Sequence, residues 1–173
     1  YNKFLNLLCS KMEQFDIAIC GYGPVGSTFA GLMGKLGHKV LVIERNIGPS
    51  PTARAINTDG EQLRTFDRLG IAEKVVENST EVHCVHFGDA NLNPMQTIEQ
   101  PVGVSAMGWP NQVLFYQPEL EGFIRASVES ESNIVIEEGT ELLSFDDTAE
   151  GVTLNCKNSE GDLTFFSKYL IGC

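Results

Sequence analysis

Gly21-Tyr22-Gly23-Pro24-Val25-Gly26 lies directly after an apolar stretch at residues 15–20. Its spacing, Gly-x-Gly-x-x-Gly, is typical of the turn between a strand and a helix where a dinucleotide binds. In such a turn the first glycine allows the tight bend, the second lets the backbone approach a pyrophosphate, and the third lets the helix pack against the strand. Amide groups and the positive end of the helix dipole then face the phosphates. The stretch therefore predicts a phosphate-binding turn.

The surroundings of this turn distinguish it from the glycine-rich loops that match the motif by chance. Apolar residues at helical spacing follow it, and a second apolar run at residues 40–43 ends at Glu44. The spaced apolar residues are Val25, Phe29, Leu32, Met33 and Leu36. The result is the strand, turn, helix, turn, strand order that the motif requires, with a carboxylate placed to accept hydrogen bonds from a ribose. Gly31 and Gly34 each weaken the helix by up to about 1 kcal/mol relative to alanine, so we expect them to permit close packing.

Composition limits the class of protein. The 173 residues are 42% hydrophobic and carry a formal net charge of -11. One domain with a real core fits these values, and a nucleic-acid partner does not, because nucleic-acid binders usually carry a basic stripe. Five cysteines without Cys-x-x-Cys spacing predict reduced thiols in a cytoplasmic protein. No apolar run reaches the roughly 18 residues that cross a bilayer, so we expect no membrane partner.

The rest of the chain alternates between helical and strand patterns. A helix is expected at residues 58–69 with Gly70 as its cap, and another begins at Gln117-Pro118-Glu119. Strands are expected at residues 82–87, 96–98, 113–116, 134–136, 141–145, 152–157 and 163–171. The last four of these strands, with turn clusters at residues 146–147 and 158–161, predict a β-meander that returns to the main sheet.

Three ligating residue types also occur close together at His83, Cys84 and His86. Strand alternation places His83 on one face and the other two on the opposite face, which leaves too few ligands for a metal ion. We therefore expect no metal site.

Several segments together resemble the flavin-dependent aromatic hydroxylases, most closely members similar to 3-(3-hydroxyphenyl)propionate hydroxylase. Besides the glycine motif, the resemblance rests on Glu44-Arg45, Ala53-Arg54-Ala55, Gly108-Trp109-Pro110, Gln117-Pro118-Glu119-Leu120-Glu121 and Tyr169-Leu170-Ile171-Gly172-Cys173. It implies an α/β, Rossmann-like FAD-binding fold of the glutathione-reductase type with a β-meander. Residues 1–14 are then an N-terminal extension. Residues 15–173 are the N-terminal part of the FAD-binding domain, with part of the substrate-side sheet near residues 82–116.

The resemblance also implies which residues bind the cofactor. Glu44 would hold the adenosine ribose, Arg45 would lie beside the adenosine, Arg54 would face the flavin phosphates or a nicotinamide cofactor, and Gln117 would reach the ribityl chain. The phosphate-binding residues would be Gly21, Gly23, Pro24, Val25 and Gly26. For the two arginines a solvated charge is the alternative, and Gln117 alternatively caps its helix.

The family continues past a strand like residues 169–172 into an Asp-Gly segment, and this chain stops at Cys173. We therefore expect a fragment or a truncated gene product, with an incomplete fold, that is inactive alone. For a complete relative, the resemblance implies hydroxylation of a phenolic aromatic compound with FAD, NAD(P)H and O2. The resemblance does not identify a catalytic residue in this chain. An NAD-dependent dehydrogenase domain and a non-catalytic nucleotide-binding pseudoenzyme stay open, as does a homo-oligomer.

Overall fold

The computed structural model describes residues 13–173 and divides the chain into two compact units. One unit comprises the described residues up to Pro49 together with Val128–Cys173, and the other comprises Ser50–Ser127. The prediction that a single domain runs from residue 15 onward stays a prediction. The N-terminal extension expected at residues 1–14 lies almost wholly outside the described residues.

The first unit is built on a six-stranded sheet with one helix between its first two strands. The elements in chain order are β1 (Gln14–Cys20), α1 (Pro24–Lys35), β2 (Val40–Glu44), β8 (Ile134–Glu138), β9 (Glu141–Thr148), β10 (Gly151–Asn158) and β11 (Gly161–Gly172). Their order across the sheet is β8-β2-β1-β11-β10-β9. The first four strands are mutually parallel, and β11, β10 and β9 form an antiparallel meander. The predicted Rossmann-like fold with a β-meander is confirmed, but the strand predicted at residues 134–136 pairs in parallel with β2 and does not belong to the meander.

Strand β11 belongs to both parts of this sheet. Its residues 166–172 pair in parallel with β1, while residues 161–167 pair antiparallel with β10. A single strand of 12 residues therefore joins the meander to the parallel sheet. A core of six buried residues lies in this unit and comprises Phe15, Ala18, Leu41, Ile43, Leu154 and Cys156.

Helix α1 packs through small residues. The buried positions are Gly26, Ser27, Thr28, Ala30, Gly31 and Gly34. Val25 and Leu36, two of the apolar residues that predicted the helix, are each 70% exposed. A Cβ on Gly34 would lie 2.5 Å from Cδ1 of Ile134, which confirms that this glycine permits close packing. The helix was predicted correctly, but small residues form its buried face, and the large apolar residues Phe29, Leu32 and Met33 are only partly buried.

The second unit contains three helices and two small sheets. The helices are α2 (Gly60–Leu69), α3 (Ala72–Glu77) and α4 (Gln117–Glu129), whose last residues pass into the first unit. The strands are β3 (Asn57–Asp59), β4 (Thr80–Glu81), β5 (Cys84–Gly88), β6 (Pro94–Glu99) and β7 (Gln112–Leu114). Strand β7 lies between β3 and β4, and β5 pairs with β6 as a hairpin.

The second helix begins two residues later than predicted. Thr58 pairs with Val113 in the sheet, and Asp59 caps the helix by accepting a hydrogen bond from the Gln62 amide at 2.9 Å. Gly70 ends the helix with φ of 76°, as predicted. The physical reason is the position of the cap. Asp59 is the N-cap, so the helix begins at the next residue, and Thr58 lies outside the helix.

Candidate functional site

The glycine motif forms the turn between β1 and α1. Gly21 has φ of 115°, a conformation that residues with a Cβ rarely adopt, and its amide donates to the Ile43 carbonyl at 2.8 Å. Gly23 is the N-cap of α1 and Pro24 follows at the first helical position. The extended backbone at Gly23, with φ of -75° and ψ of -173°, is the conformation favoured before a proline. The sequence thus bends directly from the strand into the helix.

The three glycines have different steric surroundings. A Cβ on Gly26 would lie 2.0 Å from the Gly21 carbonyl oxygen, and one on Gly21 would lie 2.5 Å from the Cys173 carbonyl oxygen. A Cβ on Gly23 would meet nothing within 4 Å. The fold itself therefore requires glycine at 21 and 26. At Gly23 it does not, because φ is ordinary and the adjacent space is open.

The open space at Gly23 lies at the start of a helix with free backbone donors. The first helical turn has no partners for its amides within the helix, and Pro24 has no N–H. The first intrahelical bond of α1 runs from the Ser27 amide to the Gly23 carbonyl at 2.9 Å. Gly23 makes no side-chain cap, and the first turn carries no acidic residue. The amides of Val25 and Gly26 are thus left for an anion, which the helix dipole also favours.

Glu44, at the end of β2, is attached to the same turn. Its Oε2 accepts from the Tyr22 amide at 2.9 Å, and its Oε1 accepts from the backbone and side-chain nitrogens of Asn46 at 2.8 Å each. Burial raises the pKa of Glu44, but these hydrogen bonds and the charge of Arg45 outweigh burial and hold the pKa below its ordinary value. The residue is only partly buried, and a carboxylate has lone-pair sites beyond the three hydrogen bonds that it accepts here. An ionised acceptor is therefore fixed beside the phosphate-binding turn.

In the second unit, Gln117 is buried and bonded to protein groups. Its Oε1 accepts from the amides of Arg54 and Ala55 at 2.5 and 2.9 Å, and its Nε2 donates to Oε1 of Glu121 at 2.7 Å. Gln117 is 5% exposed and Glu121 is 1% exposed. The glutamine therefore fixes the backbone that carries Arg54. Its predicted contact with a ribityl chain stays a prediction.

The two predicted arginines are both exposed. Arg45 lies next to Glu44 in the chain, and its charge acts on that carboxylate. Arg54 is held through its backbone by Gln117. The structure brings Gly21, Gly23, Gly26 and Glu44 together in the first unit, and Arg54 and Gln117 together in the second.

Sequence reasoning missed three participants in these clusters. Tyr22 supplies a backbone donor to Glu44, Asn46 orients the carboxylate, and Glu121 orients Gln117. A backbone donor leaves no signal in residue identity. The spacing of Gln117 and Glu121, four residues apart on one helix, was a usable signal, because such side chains are neighbours on a helix surface.

These features fit a dinucleotide such as FAD. The open cradle at Gly23 admits a pyrophosphate, the free amides supply donors for it, and the Glu44 carboxylate is an acceptor for ribose hydroxyls. Within residues 13–173, no group of three or more His, Cys, Asp or Glu side chains is arranged to hold a metal ion. Among the same residues, no helix has both the length and the apolar character to span a membrane.

Comparison with protein families and curated proteins gives consistent results. A model described as the FAD binding domain matches residues 14–173. The chain is 27% identical over 158 residues to 3-(3-hydroxy-phenyl)propionate/3-hydroxycinnamic acid hydroxylase of Mycolicibacterium smegmatis, covering 91% of this chain and 28% of the relative. It is 31% identical over 163 residues to the "Probable NADH-specific resorcinol 4-hydroxylase" of Rhodococcus jostii, covering 93% of this chain and 31% of the relative. The chain thus spans less than a third of the length of either relative.

Solved structures share the fold. The crystal structure of p-nitrophenol 4-monooxygenase from Pseudomonas putida superposes with a TM-score of 0.86 at 22% identity, covering 93% of this chain and 41% of that one. Aklavinone-11 hydroxylase in complex with FAD and aklavinone superposes with a TM-score of 0.77 at 24% identity, covering 93% and 32%.

Proposed function

Because the chain belongs to the FAD binding domain family, we propose that it forms the adenosine-binding portion of an aromatic-ring hydroxylase that uses NAD(P)H and O2. FAD as the cofactor and the resemblance to flavin-dependent aromatic hydroxylases were both predicted, and both are confirmed. The substrate is a phenolic aromatic acid or a related phenol, by analogy with what the names of the relatives state. A cytoplasmic location and a homo-oligomer belong to the same proposal.

The observation that carries the proposal is the open cradle at Gly23. Two glycines of the motif are required by close backbone contacts, whereas the third has open space where its Cβ would be. A glycine that the fold does not need, at a helix start without a side-chain cap, is accounted for by a ligand that approaches the backbone there.

The residues of this chain bind and orient the cofactor. The amides of Val25 and Gly26 would hold the pyrophosphate, and Glu44, ionised and fixed by Tyr22 and Asn46, would hold the ribose. When bound, FAD supplies the redox chemistry, and the protein supplies binding, orientation and exclusion of water. We assign no described residue a role as acid, base or nucleophile in hydroxylation. We propose that the chain alone binds the cofactor without turning over substrate, since it spans less than a third of the length of either relative.

Gly23→Val tests the proposal. A valine fits the extended backbone and open space, so the free energy of unfolding should change by less than about 1 kcal/mol. The side chain would occupy the pyrophosphate position, so FAD affinity measured by flavin fluorescence and calorimetry should fall by at least about tenfold, or about 1.4 kcal/mol.

Gly122→Val is the matched control, because a Cβ on Gly122 also meets nothing within 4 Å but lies on α4 in the other unit. Its FAD affinity should equal that of the unaltered chain. Equal affinity in the Gly23 variant would refute the proposed cradle. Tight binding of NADH without FAD would favour a dehydrogenase domain instead.

A further inference from the structure

We propose that Cys84 is a nucleophilic modification site for small uncharged α,β-unsaturated carbonyl compounds, with His86 as its base and Thr97 as a positioning residue. The site lies on the β5–β6 hairpin of the second unit and uses none of the residues assigned to FAD. A test of this site is therefore independent of a test of the proposed function.

The hairpin brings the three side chains together. Cys84 and His86 lie two residues apart on β5 and share a face, and His86 pairs directly with Thr97 on β6. The Sγ atom of Cys84 lies 3.3 Å from Nε2 of His86, and Nδ1 of the same ring lies 2.8 Å from Oγ1 of Thr97. A nucleophile within hydrogen-bond reach of a base that a third group orients is the general arrangement of activated nucleophiles.

The threonine hydroxyl can accept a hydrogen bond from Nδ1–H of His86, and the proposed site uses this tautomer. When Nδ1–H donates to Oγ1 of Thr97, Nε2 carries the free lone pair and faces the thiol. Nε2 can then take the thiol proton, which leaves the thiolate, the reactive form of cysteine. Thr97 acts only through the orientation of His86, because it pairs with His86 rather than with Cys84.

Cys84 differs from the other described cysteines in having a histidine nitrogen within hydrogen-bond distance, and not in its accessibility, since Cys20 is also partly exposed and Cys173 is exposed. His86 and Thr97 are exposed and Cys84 is partly exposed. Burial raises the pKa of the Cys20 and Cys173 thiols and raises that of Cys156 to about 11. Among the described cysteines, a reagent in solution should therefore find a base beside the Cys84 thiol. It should find the other three thiols harder to ionise, because their pKa values are raised.

The surrounding charges define the class of reagent. Glu99 pairs directly with Cys84 across the hairpin and is exposed, and the whole chain has a net charge of -11. An anionic reagent would be repelled, whereas an uncharged electrophile approaches freely. In the reaction the thiol proton moves to Nε2 and sulfur forms a bond to the β-carbon of the acceptor. The π-electron pair moves to the carbonyl oxygen, and the resulting enolate regains a proton from the imidazolium. The product is a thioether, and no oxidant or reductant is consumed.

Labelling of the intact chain with N-ethylmaleimide at pH 7, followed by peptide-resolved mass spectrometry, tests the site. Cys84 should react about tenfold faster than Cys173, which is exposed but has a raised pKa. Cys173 therefore serves as the internal reference between variants, and the decisive comparison is the Cys84 rate with and without His86. His86→Gln should slow labelling of Cys84 by about tenfold and leave Cys173 unchanged. Thr97→Val should slow it roughly threefold, and Thr97→Ser, which keeps the hydroxyl, should restore the original rate.

Both altered positions are exposed, so the fold should persist, and circular dichroism checks that it does. Equal rates for Cys84 and Cys173 in the unaltered chain would overturn the proposal. An unchanged Cys84 rate in His86→Gln would do the same, and failure of Thr97→Ser to restore the rate would remove the positioning role of the threonine.

Discussion

At the scale of single residues, the three glycines of the motif are explained by two different requirements, close backbone contacts within the fold and space for a ligand. Gly21 and Gly26 are needed because backbone atoms occupy the positions where a Cβ would lie, and Gly23 faces open space. The motif predicted all three positions, but residue identity alone does not distinguish a steric requirement within the fold from space left for a ligand. Only the surrounding backbone makes that distinction.

Gly26→Ala should destabilise the chain severely. Its Cβ would lie 2.0 Å from the Gly21 carbonyl oxygen, which is backbone and cannot move aside without opening the turn. A loss of about 2–4 kcal/mol in the free energy of unfolding is expected from urea denaturation. Gly23→Ala is the control and should change stability by less than about 1 kcal/mol. Similar losses in both variants would contradict the steric difference.

Glu44 should make stability depend on pH in the acid range. The pKa of Glu44 in the folded chain lies below the ordinary value of 4.5. The contribution of Glu44 to the free energy of unfolding is therefore fully present above the unfolded pKa and is lost as pH falls through the folded pKa. Glu44→Gln should therefore be less stable than the unaltered chain at pH 6, and the difference should shrink as pH falls below 4.5. Thermal unfolding at a series of pH values measures this. A difference that stays constant across the range would exclude the carboxylate as its source.

At the scale of helices and strands, most elements followed from local pattern, and the errors came from packing. The meander was predicted because turn residues separate its strands, and α1 because apolar residues recur at helical spacing. The buried face of α1 was not evident, because its small residues give no hydrophobic signal. Gln117 was recognised from a family pattern, whereas its contacts with Arg54 and Ala55 join positions more than 60 residues apart, which no local pattern reports.

Gly34 and Ile134 should show coupled stability effects. Gly34→Ala gains about 1 kcal/mol in helix propensity but places a Cβ 2.5 Å from Cδ1 of Ile134. We expect it to be destabilising by about 1 kcal/mol alone. Ile134→Val removes that methyl group but keeps Cγ1, which would lie 2.9 Å from the new Cβ. In its background the loss from Gly34→Ala should therefore become smaller, with a coupling energy of about 0.5–3 kcal/mol. A double-mutant cycle measured by denaturation tests this, and strictly additive effects would contradict the contact.

Gln117→Ala should loosen the segment that carries Arg54. The change removes the acceptor for two backbone amides and leaves the Glu121 carboxylate, which is 1% exposed, without the donor at 2.7 Å. The expected loss is about 2–4 kcal/mol by urea denaturation, since buried polar groups are left unsatisfied. Gln96→Ala, on exposed strand β6, should cost less than about 0.5 kcal/mol. Comparable losses in the two variants would argue against an anchoring role.

At the scale of the whole molecule, the proposed site would bind one end of the cofactor. The cradle at Gly23, the amides of Val25 and Gly26, and Glu44 would hold a pyrophosphate and a ribose in the first unit, and the roles of Arg54 and Gln117 toward FAD likewise stay predictions. The chain should therefore recognise the adenosine diphosphate half of FAD more than its isoalloxazine half.

Thermal unfolding with three ligands tests this preference. FAD and ADP should both raise the midpoint, by an amount equivalent to about 2.7 kcal/mol at a hundredfold excess over Kd. Riboflavin, which lacks the pyrophosphate and adenosine, should produce no comparable shift at the same concentration. Stabilisation by riboflavin but not by ADP would place the principal contacts elsewhere.

Strand β11 has a further consequence for how the molecule is made. It pairs with β1, and the ion pair between Lys168 and Asp16, at 2.6 Å, joins residues 152 positions apart. The glycine turn leaves the ribosome well before the strand that flanks it, because residues 27–160 lie between them in the chain. At about 5–20 residues per second, the nascent turn waits many seconds for its neighbour. Coenzyme capture during synthesis should therefore begin only after β11 has emerged, which arrest of translation before and after residue 166 would reveal.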